Sequence, residues 1–340
     1  MLENIRKLRK EAKVPVVIFD ESNLRYYTEV GALAGMLLVD REETLITQDV
    51  ELADNSPIEN IVKPKQSSLL ELFKILRKKK IKTVGVDLDH MSYALFKRFQ
   101  LQKIRLMDVS KKLAEIRAVK SEREIGKIRQ ACKLADKAMK EAVFYLKPGI
   151  SERELRTNLL SVLSKCEDVA FSFIVASGPN SEYTHVFPTS RAISEQELVI
   201  IDLGVKVDGY CSDLTRTFCI DPTGEQKKLY EYMLKAQRIA IDAISPNIQC
   251  GKVYKKVESF FKDKSLLKFW KYGLGHGVGL DVQEYPSLFK DSKDRLKNGM
   301  AFTIEPGIHI PTFGGVRIED TVLLDKKAKK LTESDYSFEV

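Results

Sequence analysis

Two carboxylates eleven residues apart, Asp202 and Asp213, stand in the stretch VIIDLGVKVDGYCSDLTRT at residues 199–217. Val199, Ile200 and Ile201 read as a buried strand, and Asp202 follows them with no polar residue between. A charge so placed must be paired or bound to a metal, because an unpaired buried carboxylate is too costly. Taken alone, the segment is equally served by a strand-end Asp capping a turn at Gly204, with Asp213 in solvent. A second stretch, AFTIEPGIHIPTFGGVRIEDTVLL at 301–324, repeats the plan. It has an apolar strand ending in Glu305, a Gly two residues later, a hairpin-like interval and an acid-Thr step. Asp202-Leu203-Gly204 matches Glu305-Pro306-Gly307 at an offset of 103, and Asp213-Leu214-Thr215 falls near Glu319-Asp320-Thr321. Lys147-Pro148-Gly149-Ile150 likewise matches Ser245-Pro246-Asn247-Ile248 at an offset of 98. The near-constant offset reads as an internal duplication bringing two carboxylate pairs to a common axis.

Four converging carboxylates repel one another unless cations neutralise them. Two divalent ions would balance the four charges, which makes a two-metal centre the expected chemistry. One imidazole completes such a set, and His276 lies in Gly275-His276-Gly277-Val278-Gly279, among small residues that allow close backbone approach. With one imidazole and otherwise oxygen donors, Mn²⁺ or Co²⁺ suit the site better than Zn²⁺.

The ordered set Asp202, Asp213, His276, Glu305 and Glu319, with GHGVGL, IEPG and VRIED around the last three, resembles the pita-bread metallopeptidases. Within them it is most similar to the proline-specific branch, prolidase and aminopeptidase P. The ordered motifs cover residues 115–325, and Glu21-Ser22-Asn23-Leu24-Arg25-Tyr26-Tyr27 more weakly resembles the creatinase/prolidase N-terminal domain. The resemblance implies an α+β chain: a small α/β creatinase-like domain at 1–112, then a pita-bread catalytic domain with an internal pseudo-twofold repeat at 113–340. It implies that Asp202 holds one metal, His276 and Glu305 the other, and Asp213 and Glu319 bridge them. Ions so bridged acidify a shared water and polarise the scissile carbonyl. Glu305 is then also the proton carrier, His185 contacts the substrate, and Arg317 orders the hydrogen bonds of the site. His309 has no counterpart role and is expected on a strand surface. The family usually has a histidine seven residues after His276 and another four before it; here Gln283 and Tyr272 stand there. Gln and Tyr can donate hydrogen bonds but neither supplies an imidazolium. Both are expected in the shell that faces substrate.

The implied activity is hydrolysis of the Xaa-Pro bond, with dipeptides as substrates; the alternatives are an aminopeptidase P acting on longer peptides, or a non-peptidase binding protein of the same fold. Such a bond is a tertiary amide without an N–H, so a site working through metals and a shaped pocket tolerates it. A homodimer is the family expectation. With 44% apolar and 31% charged residues the composition is that of a soluble globular protein. No apolar run approaches a membrane span, and the first residues lack a signal-peptide core, so residence in the cytoplasm is expected. Five cysteines without a CxxC pair fit a reducing compartment. The net charge of +8 comes from short lysine clusters without interleaved aromatics, which argues against a nucleic-acid partner.

The elements that must position these residues are legible in outline. Helices are expected at 1–12, 68–79 and 90–101, with strands at 14–19, 32–39, 43–48 and 83–87. His90, after Asp87-Leu88-Asp89, reads as part of a helix N-terminus. Ser121-Glu122-Arg123-Glu124 is a capping box, repeated at 151–154. After the first, Ile125, Ile128, Cys132, Ala135, Met139 and Ala142 form one apolar helix face. A strand at 170–176, helices at 225–244 and 251–261, and a loosely ordered tail over the last ten residues complete the reading.

Overall fold

The computed structural model describes residues 2–164, 166 and 168–340. It divides into two compact units, Met1–Arg117 and Ala118–Val340. Up to that division the elements run α1 (Leu2–Ala12), β1 (Val16–Ile18), α2 (Glu21–Thr28), β2 (Gly35–Val39), β3 (Glu43–Thr47), α3 (Val50–Ala53), β4 (Ile61–Val62), α4 (Ser68–Lys78), β5 (Thr83–Val86), α5 (Tyr93–Leu101), β6 (Arg105–Asp108) and α6 (Ser110–Ala118). The strands form one six-stranded mixed sheet in the order β4-β3-β2-β1-β5-β6. Helix α4 covers it because Leu72, Phe73 and Leu76 lie on one face and are buried against Val17, Leu38 and Val84. His90 departs from expectation: α5 begins only at Tyr93, where the Ser92 hydroxyl caps Leu95 N–H, and the His90 ring instead bonds Asp87 at 3.0 Å. Helix α6 runs through the expected boundary at 112/113.

The second unit runs α7 (Glu122–Tyr145), α8 (Glu152–Val162), β7 (Asp168–Val169), β8 (Ile174–Ser177), β9 (Leu198–Leu203), β10 (Val205–Val207), β11 (Tyr210–Cys211), β12 (Leu214–Cys219), α9 (Gly224–Ala243), α10 (Cys250–Asp263), β13 (His276–Gly277), β14 (Glu284–Ser287), β15 (Ala301–Ile304), β16 (Gly307–Ile310), β17 (Gly314–Arg317), β18 (Asp320–Asp325) and β19 (Lys327–Lys330). Each half is a long helix, a shorter helix and a strand set. Capping boxes start α7 and α8, where Ser121 and Ser151 trade bonds with Glu124 and Glu154, and Thr223 with Gln226 starts α9 in the same way. All six residues of the expected α7 face are buried. Two apolar cores result, one beneath α7 and α8 and one beneath α9 and α10. Of the strand expected at 170–176 only the last three residues are extended, in β8, and Phe171 before it turns into a cavity.

The duplication shows in the register. Strands β9 and β10 fold back on β11 and β12 as one interrupted hairpin, and β15 and β16 do so on β17 and β18. Asp202 pairs with Thr215, so its counterpart Glu305 falls opposite Glu319 in the continued β15–β18 register. The structural counterpart of Glu319 is therefore Thr215, and that of Asp213 is Arg317. Reciprocal bonds bear this out: Thr217 Oγ1 accepts from Arg317 N–H and donates to Arg317 O, while Thr321 Oγ1 does the same with Asp213. The expected pairing of Asp213 with Glu319 is thus corrected by two residues, because strand register, not the acid-Thr dipeptide, fixes equivalence.

The expected loose tail is also corrected. Residues 331–340 are bonded to the body: Cys219 N–H donates to Phe338 O, Glu333 and Ser334 N–H donate to Asp136, and Phe338 stacks on Tyr230 with centroids 4.4 Å apart. Its polar composition hid partners supplied by α7, α9 and β12.

Candidate metal centre

The breaks in the two hairpins are where the acids sit. Asp202 lies near the end of β9 and Asp213 just before β12; Glu305 follows β15 and Glu319 precedes β18. His276 starts β13, which can lie against β15 because Gly275 has no side chain: a Cβ there would stand 2.0 Å from Thr303 O. All five side chains line one cavity of about 280 Å³, together with His185, Tyr272, Gln283 and Arg317. The structure thus brings every expected site residue to the same place.

Distances within the cluster are short. His276 Nε2 is 3.5 Å from Glu305 Oε1 and 3.6 Å from Asp213 Oδ2. Donor atoms of Asp213, His276 and Glu319 all lie within 4.8 Å of one another. The Nδ1–H of His276 donates to Gly277 O at 3.1 Å, which leaves the Nε2 lone pair facing the acids. Thr215 Oγ1 donates to Glu319 Oε2 at 2.7 Å, and Arg317 Nη2 donates to Asp202 Oδ2 at 2.6 Å.

Four acids share the cavity with one guanidinium, and they push one another toward the protonated form. Burial raises the Asp213 carboxyl well above its ordinary range, and Glu319, Asp202 and Glu305 add to it. Burial followed by Glu305 and Asp202 does the same to Glu319. Glu305 is pushed up to about 7 by burial, with Arg317 opposing and Asp202 reinforcing. Burial works against the Arg317 charge, yet Asp202 and the other acids more than offset it. Oδ1 of Asp202 and Oδ1 of Asp213 are buried without a hydrogen-bond partner. Orphaned acceptors, three acids resisting ionisation and an imidazole lone pair turned inward together fit divalent cations.

Two further groups shape the walls. Tyr272 keeps its phenol protonated because burial raises it, and its ring centroid is 6.0 Å from the Arg317 guanidinium. Gln283 is exposed on the wall beside Glu284, whose carboxylate forms a 2.6 Å buried ion pair with Lys120. His185 sits exposed at the lip, with its pKa lowered by partial burial and then by Arg317. Its segment is held from both sides: Thr184 O accepts from Arg317 Nη1, and Glu152 accepts from Ser177, Asn180 and Thr189.

His309 is corrected from a strand-surface residue to a buried one. It is 0% exposed, its Nδ1–H donates to Ser181 O at 2.8 Å, and burial pushes its pKa down to about 4. Sequence reading passed over Thr215, Thr303, whose Oγ1 accepts from His276 N–H at 3.1 Å, Glu152 and the Lys120–Glu284 pair. Only the acid-Thr step held a signal for the first; the others depend on residues brought together from far along the chain.

Residues 126–326 match metallopeptidase family M24, and residues 1–119 match the creatinase/prolidase N-terminal domain. The chain is 33% identical to the Xaa-Pro dipeptidase of Pyrococcus horikoshii, with 98% of each sequence covered. Among solved structures it is similar to an Xaa-Pro dipeptidase from Bacillus anthracis, with a TM-score of 0.95 and 26% identity over 100% of this chain and 99% of that one. It is also similar to the prolidase from Pyrococcus horikoshii, with a TM-score of 0.91 and 32% identity over 98% and 99%. A cavity whose acids and imidazole suit divalent ions, on a fold shared along the whole chain with these enzymes, carries one conclusion: the chain belongs to metallopeptidase family M24.

Proposed function

We propose that this chain is a prolidase, a metal-dependent exopeptidase that hydrolyses the Xaa-Pro bond of dipeptides. The observation that carries the reading is the cavity itself, where Asp202, Asp213, Glu305 and Glu319 converge with His276. In this reading those five side chains hold two divalent ions, Mn²⁺ or Co²⁺ in preference to Zn²⁺ because the donors are mostly oxygen. When bound, the ions supply Lewis acidity to the scissile carbonyl and to a water.

The chain's own residues do the rest. Glu305 takes the proton released by the attacking water and passes it to the leaving proline nitrogen. Arg317 fixes Asp202 and, through Thr184 O, the segment carrying His185. His185 donates to the peptide at the lip. Tyr272 and Gln283 face the substrate from the wall, where other members of the family carry imidazoles. A cytoplasmic homodimer belongs to the same reading; five free thiols, four of them buried, suit a reducing compartment.

The test is hydrolysis of Ala-Pro and of a tripeptide with Pro in second place, with Mn²⁺ present and metal content measured in parallel. Rapid release from the dipeptide alone is expected. Equal or faster cleavage of the tripeptide would assign an aminopeptidase instead, and bound metal without hydrolysis of either would sink the enzyme reading.

A further inference from the structure

Among the described residues the largest fully buried side chain is Arg216, a cation outside the cavity wall. All five of its N–H donors are used. Nη1 donates to Thr215 O at 2.9 Å and to Glu319 O at 2.7 Å. Nη2 donates to Asp320 Oδ1 and to Ser334 O, each at 2.8 Å, and Nε to Asp335 O at 3.1 Å. The Tyr336 ring lies over the guanidinium at 4.4 Å, and its hydroxyl donates to Asp320 Oδ2 at 2.5 Å. Gln237 Nε2 and Thr332 Oγ1 fill the remaining acceptor directions of Asp320.

The placement matters because Arg216 and Asp320 are structural counterparts in the two halves, one residue beyond the bridge between Thr215 and Glu319. One guanidinium nitrogen therefore ties together the two backbones that carry Asp213 and Glu319 into the cavity. Without residues 332–336 it would keep a buried charge with two of its acceptors missing, and such a charge is costly to leave half satisfied.

We propose that Arg216 and Asp320, closed over by residues 332–336, form a positioning clamp that fixes where the Asp213 and Glu319 carboxylates stand. A segment that contributes nothing to the cavity wall thereby sets the affinity of the centre for divalent metal. The inference rests on the metal-holding reading of the cavity given above.

Tyr336→Phe removes one bond to Asp320 and preserves the ring; Arg216→Lys keeps the charge and loses the fork. Lys227→Ala, which breaks the exposed pair between Lys227 and Glu339, is the control. Mn²⁺ affinity is measured by calorimetric titration, and Ala-Pro hydrolysis is followed across a range of Mn²⁺ concentrations. The expected result is Mn²⁺ binding about 10-fold weaker in Tyr336→Phe, as for other groups that orient metal ligands. Its activity should recover at saturating Mn²⁺, and Lys227→Ala should behave as wild type. A folded Tyr336→Phe protein with wild-type Mn²⁺ affinity would overturn the clamp, even if its melting point falls and even if Arg216→Lys does not fold. Failure of the wild-type protein to bind Mn²⁺ would instead overturn the reading of the cavity, and the clamp with it.

Discussion

Glu305 carries the clearest acid-base consequence of the cavity. Its folded pKa, about 7, lies above the ordinary glutamate value, so the native state holds a proton that the unfolded chain has released. The stability this gives is full below about pH 4.5 and is lost as pH rises toward 7. Protein stripped with a chelator should therefore lose on the order of 2 kcal/mol between pH 5 and 7.5 in urea denaturation. Glu305→Gln should make the slope shallower without abolishing it, because Asp213 and Glu319 are raised as well, and Mn²⁺ should remove it. A metal-free profile that rises with pH would contradict the assignment. At the lip, His185→Ala is expected to lower kcat/KM for Ala-Pro by about 100-fold with metal content unchanged, the size of one well-placed donor. The four acids and the imidazole were legible because they end apolar runs, border Gly-containing turns or sit among glycines. His309 was not, since nothing in Gly307-Ile308-His309-Ile310 announces that the Ser181 carbonyl will cover its ring.

Among elements, the segment joining β8 to the His185 region depends on one carboxylate at the start of α8. Glu152 is 0% exposed, and its two oxygens accept from Ser177 and Thr189, each through both N–H and hydroxyl, and from the Asn180 amide. Burial alone would raise its pKa, but these bonds outweigh it and hold the carboxyl below its usual range. The contribution is present above the unfolded pKa and is lost as pH falls through the folded one. Glu152→Ala should cost about 3 kcal/mol at pH 7 and less at pH 3, because buried N–H groups lose their acceptor. Urea titrations at the two pH values check this. The helices themselves were readable from capping boxes and 3–4 spacing, with the apolar face of α7 as the plainest case. Strand equivalence was less so: Asp213 and Glu319 look alike in sequence, yet hydrogen-bond register matches Asp213 with Arg317.

For the whole molecule, the two units have separate cores, and every residue of the cavity lies within Ala118–Val340. Metal binding should then slow amide hydrogen exchange in β9, β12, β15 and β18, with the strands of residues 2–117 unchanged. Equal protection of both units would show that the centre is coupled to the whole chain. The division of the chain could be read only coarsely, because α6 is a continuous helix with no Pro, Gly or charge break to mark it. Among the described residues no helix is long and apolar enough to cross a membrane.

The unequal repeat has a consequence for how the molecule tolerates damage. Ancestry has left two of the donors in single copy: where one half presents Glu319 the other has a threonine, and where one presents Asp213 the other has an arginine. Neither half can stand in for its twin, so a lesion at any of these positions has no backup within the same polypeptide.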